Sequence, residues 1–338
     1  LTGETGTDAE GQGDKLEFRE AIGAINAVLK IAATSGSAKL TGIGTAGHDI
    51  LIDASTGTDA VLGTGTAGHD VTLLAKNDAT ATSATATANN VTLTAGNNAT
   101  VLTLAKAGTD VTLKAKNNAI AANATAMSND IKLTATNGSA KLTGTGTAGH
   151  DILIDASTGT DAELGTGTAV HDVTLLAKND AKVTSVTAKA NNVTLTAGNN
   201  ATVVTLAKAE KKDVKLTAVN GIADIAEVTA DNDVSVISSD INISKNLTAK
   251  RHLDLVVSGS AKAAQLGDLS STRLVVVAWH LADSELNRID SPEIMLNVID
   301  RNIYVGAAAI PNTTKGFAIS TSAKGVIDVL GSLRMAGA

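Results

Sequence analysis

The chain has 338 residues, a formal net charge of −7 and no cysteine, which excludes disulfides and thiolate metal sites. The acidic balance, without any basic run, argues against nucleic acid as a partner, and no stretch approaches the ~18 consecutive apolar residues of a membrane-spanning helix. Alanine, valine, leucine and isoleucine supply nearly all the hydrophobic content, and Phe18, Tyr304, Trp279 and Phe317 are the only aromatics; a core without large rings must be narrow.

Residues 1–27 are rich in glycine, threonine and acidic side chains, and the stretch 15–25 reads as a short helix or an irregular first coil, in either case a cap. From residue 28 a short phrase, Asp/Asn-Val/Ile-x-Leu/Ile, returns every 20 or 21 residues. It opens at Asp49-Ile50, Asp70-Val71, Asn90-Val91, Asp110-Val111, Asp130-Ile131 and Asp151-Ile152. It continues at Asp172-Val173, Asn192-Val193, Asp213-Val214, Asp233-Val234 and Asp254-Leu255. A fixed period of this length predicts a solenoid.

One repeat shows the local logic: Val91-Thr-Leu-Thr-Ala-Gly-Asn-Asn-Ala-Thr-Val-Leu-Thr-Leu-Ala-Lys-Ala-Gly-Thr-Asp110. Val91, Leu93 and Ala95 alternate with polar residues, which is the period of a half-buried strand. Gly96-Asn97-Asn98 reads as a turn whose residues tolerate left-handed backbone. Ala99-Thr-Val101 and Leu102 to Ala105 read as two further short strands. No 3.6-residue pattern is present. The expected fold is therefore all-β, a right-handed parallel β-helix (β-solenoid) of about 20–21 residues per coil.

Residues 28–266 are expected to form the regular repeats. Within them, 36–106 recur as 138–208 with eight differences, among them Ile43/Thr145, Val61/Glu163, Gly68/Val170 and Thr80/Lys182. Copying whole coils lengthens a solenoid at little cost, because each coil contacts only its neighbours. Residues 267–338 are expected to be less regular coils or a cap. Their strand-like runs are 274–278, 294–298, 303–305, 317–319 and 326–330. Counted from Leu29, the chain is expected to hold roughly 15 coils, a stack about 70 Å long at the spacing of paired strands.

Stacking aligns equivalent residues. The residue six after each opening Val/Ile is Asn77, Asn97, Asn117, Asn137, Asn179, Asn199 or Asn220. These are expected to form a structural ladder in which each amide donates to the next. The column of Asp residues places like charges on adjacent coils, mildly unfavourable, and is expected to be tolerated by solvent and by hydrogen bonds to backbone amides at the turn. His48 and His69, one coil apart and each beside an Asp, are the candidate metal ligands, with His150 and His171 repeating the arrangement. The alternative is a solvated corner where histidine tempers repulsion between stacked carboxylates. His252 and His280 have no repeated partner. Outward Thr72, Thr92 and Thr112 form a rank that Lys132 interrupts, which argues against ice binding.

The Gly-Gly-x-Gly-x-Asp nonapeptide of calcium-loaded solenoids is missing, as are a Gly-x-Ser-x-Gly elbow, a phosphate loop and a dinucleotide fingerprint. Carboxylates fall in repeated columns rather than one convergent cluster. The expectation is a protein without catalytic residues or cofactors, with a polysaccharide-active β-helix enzyme as the remote alternative. Asn-x-Ser/Thr sequons, such as those at Asn90 and Asn98, follow from asparagine at corners and threonine in strands.

The phrases Asn89-Asn-Val-Thr-Leu-Thr-Ala-Gly-Asn-Asn98, Gly108-Thr-Asp-Val-Thr-Leu-Lys-Ala-Lys-Asn117 and Gly325-Val-Ile-Asp-Val-Leu-Gly-Ser-Leu333 resemble filamentous-haemagglutinin-type repeats. Those repeats belong to large bacterial exoproteins of two-partner secretion systems. The resemblance covers about 28–260 and implies export to the bacterial cell surface or medium, and a role as adhesin, matrix fibre or stalk. The Asn-Pro-Asn motifs of the family's secretion domain are missing, and the opening leucine is expected to mark a processed or partial product. The expected partner is a second copy, joined end to end. The competing expectation is a cell-surface receptor or glycan bound by loops at 279–292 and 304–314.

Overall fold

Strict alternation of apolar and polar residues makes one face of each short segment a core face, and here that face closes on itself as a parallel β-helix. The computed structural model describes residues 26–256 with their side chains. Outside that span it describes the backbone of Ala9–Gly13, Leu16–Phe18, Ile22–Ala24, Asp268–Ser270, Arg273–Ala278, Arg288–Asp290, Glu293–Val298, Ile303–Val305, Gly316–Thr321 and Ile327–Val329. Every strand pairing described is parallel, and among the described residues no helix is long and apolar enough to cross a membrane. The chain divides into two compact units, Leu1–Val170 and His171–Ala338.

From Leu29 each coil of the first unit contributes a five-residue strand and a strand of eight or nine residues, Val91–Ala95 and Ala99–Ala107 for example. The short strands Leu29–Ala33, Ile50–Ala54, Val71–Ala75, Val91–Ala95, Val111–Ala115, Ile131–Ala135 and Ile152–Ala156 pair in unbroken succession. In each step opening residue faces opening residue. The long strands do the same.

The three strands expected per coil are in fact two, because the second and third run on as one hydrogen-bonded strand bent in the middle. The register slips at the bend, between Val101 and Leu104 for example. Inward Ala99 and Val101 precede the bend, inward Ala105 and Ala107 follow it, and Leu102 and Thr103 project outward at it. Nine-residue strands spend one more residue at this corner than eight-residue strands such as Ala79–Ala86. That slack, together with turns of different length, accommodates both 20- and 21-residue repeats.

Residues 15–25 are not a helix where they are described. Leu16–Phe18 and Ile22–Ala24 are strands lying parallel on the two arms of Ala38–Ala46, and Ala9–Gly13 pairs with Leu29–Ala33.

The second unit starts in the same way with Val173–Ala177 and Ala181–Ala188. From Val214 the short and long segments merge into single strands, Val214–Ala230 and Val234–Ala249. Beyond residue 257 the pairing continues through Arg273–Ala278, Glu293–Val298 and Gly316–Thr321, and Ile303–Val305 pairs with Ile327–Val329. The strand-like runs expected in 267–338 are thus strands, paired in the manner of further coils.

The interior is aliphatic, and its volume is shared within each coil. From Leu29 onward, short strands of the first unit all end in alanine, and its long strands begin and end in alanine. These corners are thus lined by buried alanine, the smallest side chain with a Cβ. Across the bend a second rule holds. Coils with a buried leucine before it, Leu40, Leu62, Leu142 and Leu164, carry glycine after it, at 44, 65, 146 and 167. Coils with a smaller residue before it, Ala81, Val101 and Ala121, carry Ala84, Ala105 and Ala124 after it. The reason is contact: a Cβ on Gly65 would lie 2.6 Å from Leu62 Cδ2, and one on Gly146 lies equally close to Leu142 Cδ2. Gly96 has a different reason from the one its sequence suggests. Asn26 is the only described non-glycine residue with positive φ, so neither Asn97 nor Asn98 is left-handed. At Gly96 a Cβ would sit 2.0 Å from the Lys76 carbonyl oxygen, so the requirement there is close approach between coils.

Volume sharing makes a test by double-mutant cycle. Gly65→Ala alone overpacks the coil and should cost about 1–3 kcal/mol, and Leu62→Ala alone opens a cavity and should cost about 2–5 kcal/mol. The double variant copies the Ala81/Ala84 pair of the neighbouring coil and should lose less than the sum, by about 0.5–3 kcal/mol. Denaturant unfolding followed by circular dichroism measures all three.

Candidate functional site

Corners are where a parallel stack has unmet hydrogen bonds, because the strand ladder breaks there and the backbone N–H groups still need acceptors. Two columns of side chains in this chain supply them. One lies just before each short strand. Asp49 Oδ1 accepts the Asp70 backbone N–H at 3.1 Å, and Asp70 Oδ1 accepts that of Asn90 at 2.9 Å. Asn90 Oδ1 accepts from Asp110 at 3.3 Å, Asp110 Oδ1 from Asp130 at 3.0 Å, and Asp130 Oδ1 from Asp151 at 3.0 Å. In the second unit the same column runs Asp172, Asn192, Asp213, Asp233 and His252. The carbonyl of each such residue stays in the main ladder, as when Asp70 accepts from the Ile50 N–H at 2.8 Å. Stacked like charges are therefore offset by a charge-assisted hydrogen bond wherever the acceptor is aspartate, and at Asn90 and Asn192 a neutral amide oxygen takes the same place.

The other column lies just before each long strand: Asp59, Asp78, Asn98, Asn118 and Ser139 in the first unit, Asp180 and Asn200 in the second. This corrects the expected asparagine ladder by one residue. Asn117 does donate from Nδ2 to Asn97 Oδ1, as expected. Asn97, however, donates to Asp78 Oδ1 at 3.0 Å and not to Asn77. Asn77, Asn97 and Asn117 are linked chiefly by backbone, Asn97 N–H to the Asn77 carbonyl and Asn117 N–H to the Asn97 carbonyl, and Asn199 N–H bonds the Asn179 carbonyl likewise. Asn137 and Asn220 fall out of step, their N–H groups reaching the carbonyls of Lys116 and Gly198, because their turns carry an extra residue. The signal was present in the sequence: the position before each long-strand alanine is Asp, Asn or Ser in every coil from Ser37 to Asn200.

Asp70, Asp78 and Asp172 each accept three donors, and at Asp78 all three reach one oxygen: the Asn98 N–H at 3.0 Å, Asn98 Nδ2 at 2.9 Å and Asn97 Nδ2. Where a turn is longer, hydroxyls join the column. Ser37 Oγ lies 2.8 Å from Thr58 Oγ1 and donates to Asp59 Oδ2 at 3.3 Å, and Ser139, Thr160 and Asp161 repeat this arrangement at 2.8 and 3.4 Å. Sequon residues are engaged too, for Asn90 Nδ2 donates to Asp70 Oδ1 and Asn98 Nδ2 to Asp78 Oδ1.

The histidines sit on the solvent side of the first column. His48 and His69 are stacked, ring centroids 4.1 Å apart and planes 13° from parallel. His48 Nδ1 lies 2.8 Å from Asp49 Oδ2. His150 Nδ1 stands between Asp130 Oδ1 at 3.2 Å and Asp151 Oδ2 at 3.0 Å. His171 opens the second unit beside Asp172. His252, unremarkable in the sequence, ends the described part of that unit's column, with its N–H and its Nδ1 both 3.1 Å from Asp233 Oδ1. The loops at 279–292 and 304–314, and His280 with them, lie outside the described residues apart from the short strands they touch. No protein-family model, no curated protein and no solved structure matches this chain.

Removing an acceptor should cost more than removing a charge. Asp78→Ala leaves three donors without their oxygen and should destabilise by about 1–3 kcal/mol. Asp78→Asn keeps an Oδ1 in place, as Asn98 and Asn118 do, and should stay within about 1 kcal/mol of the parent. Urea unfolding of the two variants side by side separates the readings.

Proposed function

We propose that this chain is an extracellular structural β-solenoid of bacterial origin, a filament- or matrix-forming segment or an adhesin stalk. The observation that carries the reading is the unbroken in-register pairing of successive coils, from Leu29–Ala33 to Ile152–Ala156 in the first unit. Such a body gains length by adding coils, and its corners are satisfied by side chains that serve the stack itself. The internal copy of residues 36–106 at 138–208 fits selection for length, since a coil is stabilised by its two neighbours alone. The resemblance to filamentous-haemagglutinin repeats supports the extracellular setting. The absence of cysteine agrees with passage through secretion in an unfolded state.

The mechanism is mechanical. Backbone hydrogen bonds run along the stacking direction, a dry aliphatic interior holds each coil to the next, and the polar columns fix the register. Any parallel stack has two terminal strand edges, and an uncovered edge pairs readily with another. The partner in this reading is a second copy joined edge to edge, which generates a fibre when the contact is head to tail.

Electron microscopy of the purified chain over a rising concentration series tests this. Linear end-to-end polymers are expected, growing with concentration and shortened or abolished by deletion of 267–338. Protein that remains monomeric at the highest concentration would overturn the reading.

A further inference from the structure

A sugar linked to asparagine needs an Asn-x-Ser/Thr triplet whose side-chain amide is open to solvent. The stack denies this to most of its triplets. Asn90 and Asn98 donate from Nδ2 to Asp70 and Asp78 on one side, and accept on Oδ1 from the Asp110 and Asn118 backbone N–H groups on the other. Asn192 is gripped in the same way between Asp172 and Asp213, and Asn200 between Asp180 and Ile222. Asn123 donates to the Thr103 carbonyl at 3.0 Å and accepts the Thr145 N–H at 2.9 Å, and Asn242 Nδ2 donates to Asp224 Oδ1 at 2.9 Å. A sugar on any of these amides would replace a hydrogen on a nitrogen that already faces a neighbouring coil, about 4.8 Å away.

Two described triplets escape, each where the chain carries an additional residue. Asn137, in Asn137-Gly-Ser139, lies in the turn 136–139, which is one residue longer than the equivalent turn 116–118. Its backbone N–H reaches the Lys116 carbonyl, out of step with the column. Its side chain is exposed and makes no hydrogen bond among the described residues. Asn246, in Asn246-Leu-Thr248, lies at the bend of Val234–Ala249, where Ser244 and Lys245 together oppose the single residue Ala226. A bulge of this kind re-aims side chains out of the ladder, and Ser244, Lys245 and Asn246 are all exposed. The Asn246 amide also has no partner among the described residues. Leu247 is buried between Asn246 and Thr248, so the amide and the hydroxyl of that triplet share the outer face. The triplet at Asn312 lies outside the described residues.

We propose that Asn137 and Asn246 are attachment sites for asparagine-linked sugar, a modification that rests on the extracellular setting proposed above. The donor is a sugar activated as a phosphate ester at its anomeric carbon. In the transfer the asparagine Nδ2 attacks that carbon and a nitrogen–carbon bond forms. The carbon–oxygen bond to phosphate breaks, the phosphate carrier leaves with the electron pair, and the displaced amide proton passes to a base of the transferring enzyme. The ladder asparagines stay bare in the folded chain, because their amides hold one coil to the next.

Co-expression of the full chain with an asparagine glycosyltransferase tests the assignment, with peptide mapping of the soluble, folded fraction by mass spectrometry. One arm uses a soluble transferase supplied with a nucleotide-linked sugar. The other uses a membrane-bound transferase supplied with a lipid-linked sugar, and the arm that modifies the chain identifies the donor. Sugar is expected on Asn137 and Asn246, and none on Asn90, Asn98, Asn192 or Asn200. Asn137→Gln and Asn246→Gln should each remove one modified peptide and leave the circular dichroism unchanged. Thr248→Val removes the hydroxyl but keeps the shape of the side chain, and should lose the sugar on Asn246 with that asparagine intact. Asn137 or Asn246 bare in both arms, or ladder asparagines modified to the same extent in folded chain, would overturn the proposal. Polymer growth is measured on the unmodified chain, so failure here leaves the structural role standing.

Discussion

Stacking in register forces every side chain to meet its own equivalents, and the rest of this structure follows from that constraint. A parallel ladder brings valine onto valine and leucine onto leucine in the interior, which is favourable without special arrangement. At the corners it brings like polar groups together, and there the chain has to solve a problem. Its solution is a side chain whose oxygen accepts the backbone N–H of the equivalent residue on the next coil. Asp110 does this for Asp130, and Asn98 for Asn118. Aspartate and asparagine are interchangeable in the role because both present an Oδ1 at the same reach, and this is why the column mixes them freely.

Within a coil the same economy governs volume. A narrow interior has no spare room, so a leucine before the bend is matched by a glycine after it, and smaller residues by alanine. Two of the eight differences between the copied segments depart from this pairing: Ala81 and Ala84 in the first copy become Val183 and Val186 in the second, so both sides of the bend enlarge together. Residues that face each other across one coil have changed as a set, while outward positions such as Thr80/Lys182 have changed in character.

Much of this was legible in the sequence, for identifiable reasons. The period and the alternation of Val91, Leu93 and Ala95 give parallel coils directly, and they extend to strands as distant as Glu293–Val298. The bend was harder, because a strand that changes face in mid-course looks like two strands separated by a turn. The asparagine ladder was displaced by one residue because its most uniform column, Asn77, Asn97 and Asn117, is linked mainly through backbone. The true acceptors vary among Asp, Asn and Ser, which hides a shared oxygen behind different names. Glycine at 96 was read as a φ requirement when it is a distance requirement, and only neighbouring coils can reveal that. The tight contact of His48 Nδ1 with Asp49 likewise depends on where the corner aims its side chains.

The central claim is that residues one repeat apart lie directly over one another, and the absence of cysteine allows a clean chemical test. Thr72 and Thr92 are partners on adjacent short strands, at a strand spacing of about 4.8 Å, inside the Cα separation a disulfide spans. The diagonal pair Thr72 and Thr94 is about 8 Å apart on the same geometry, outside that span. A Thr72→Cys/Thr92→Cys chain should close an intramolecular disulfide under mild oxidation, scored by thiol titration and mass spectrometry. A Thr72→Cys/Thr94→Cys chain should not. Equal closure of both, or preference for the diagonal, would contradict in-register stacking.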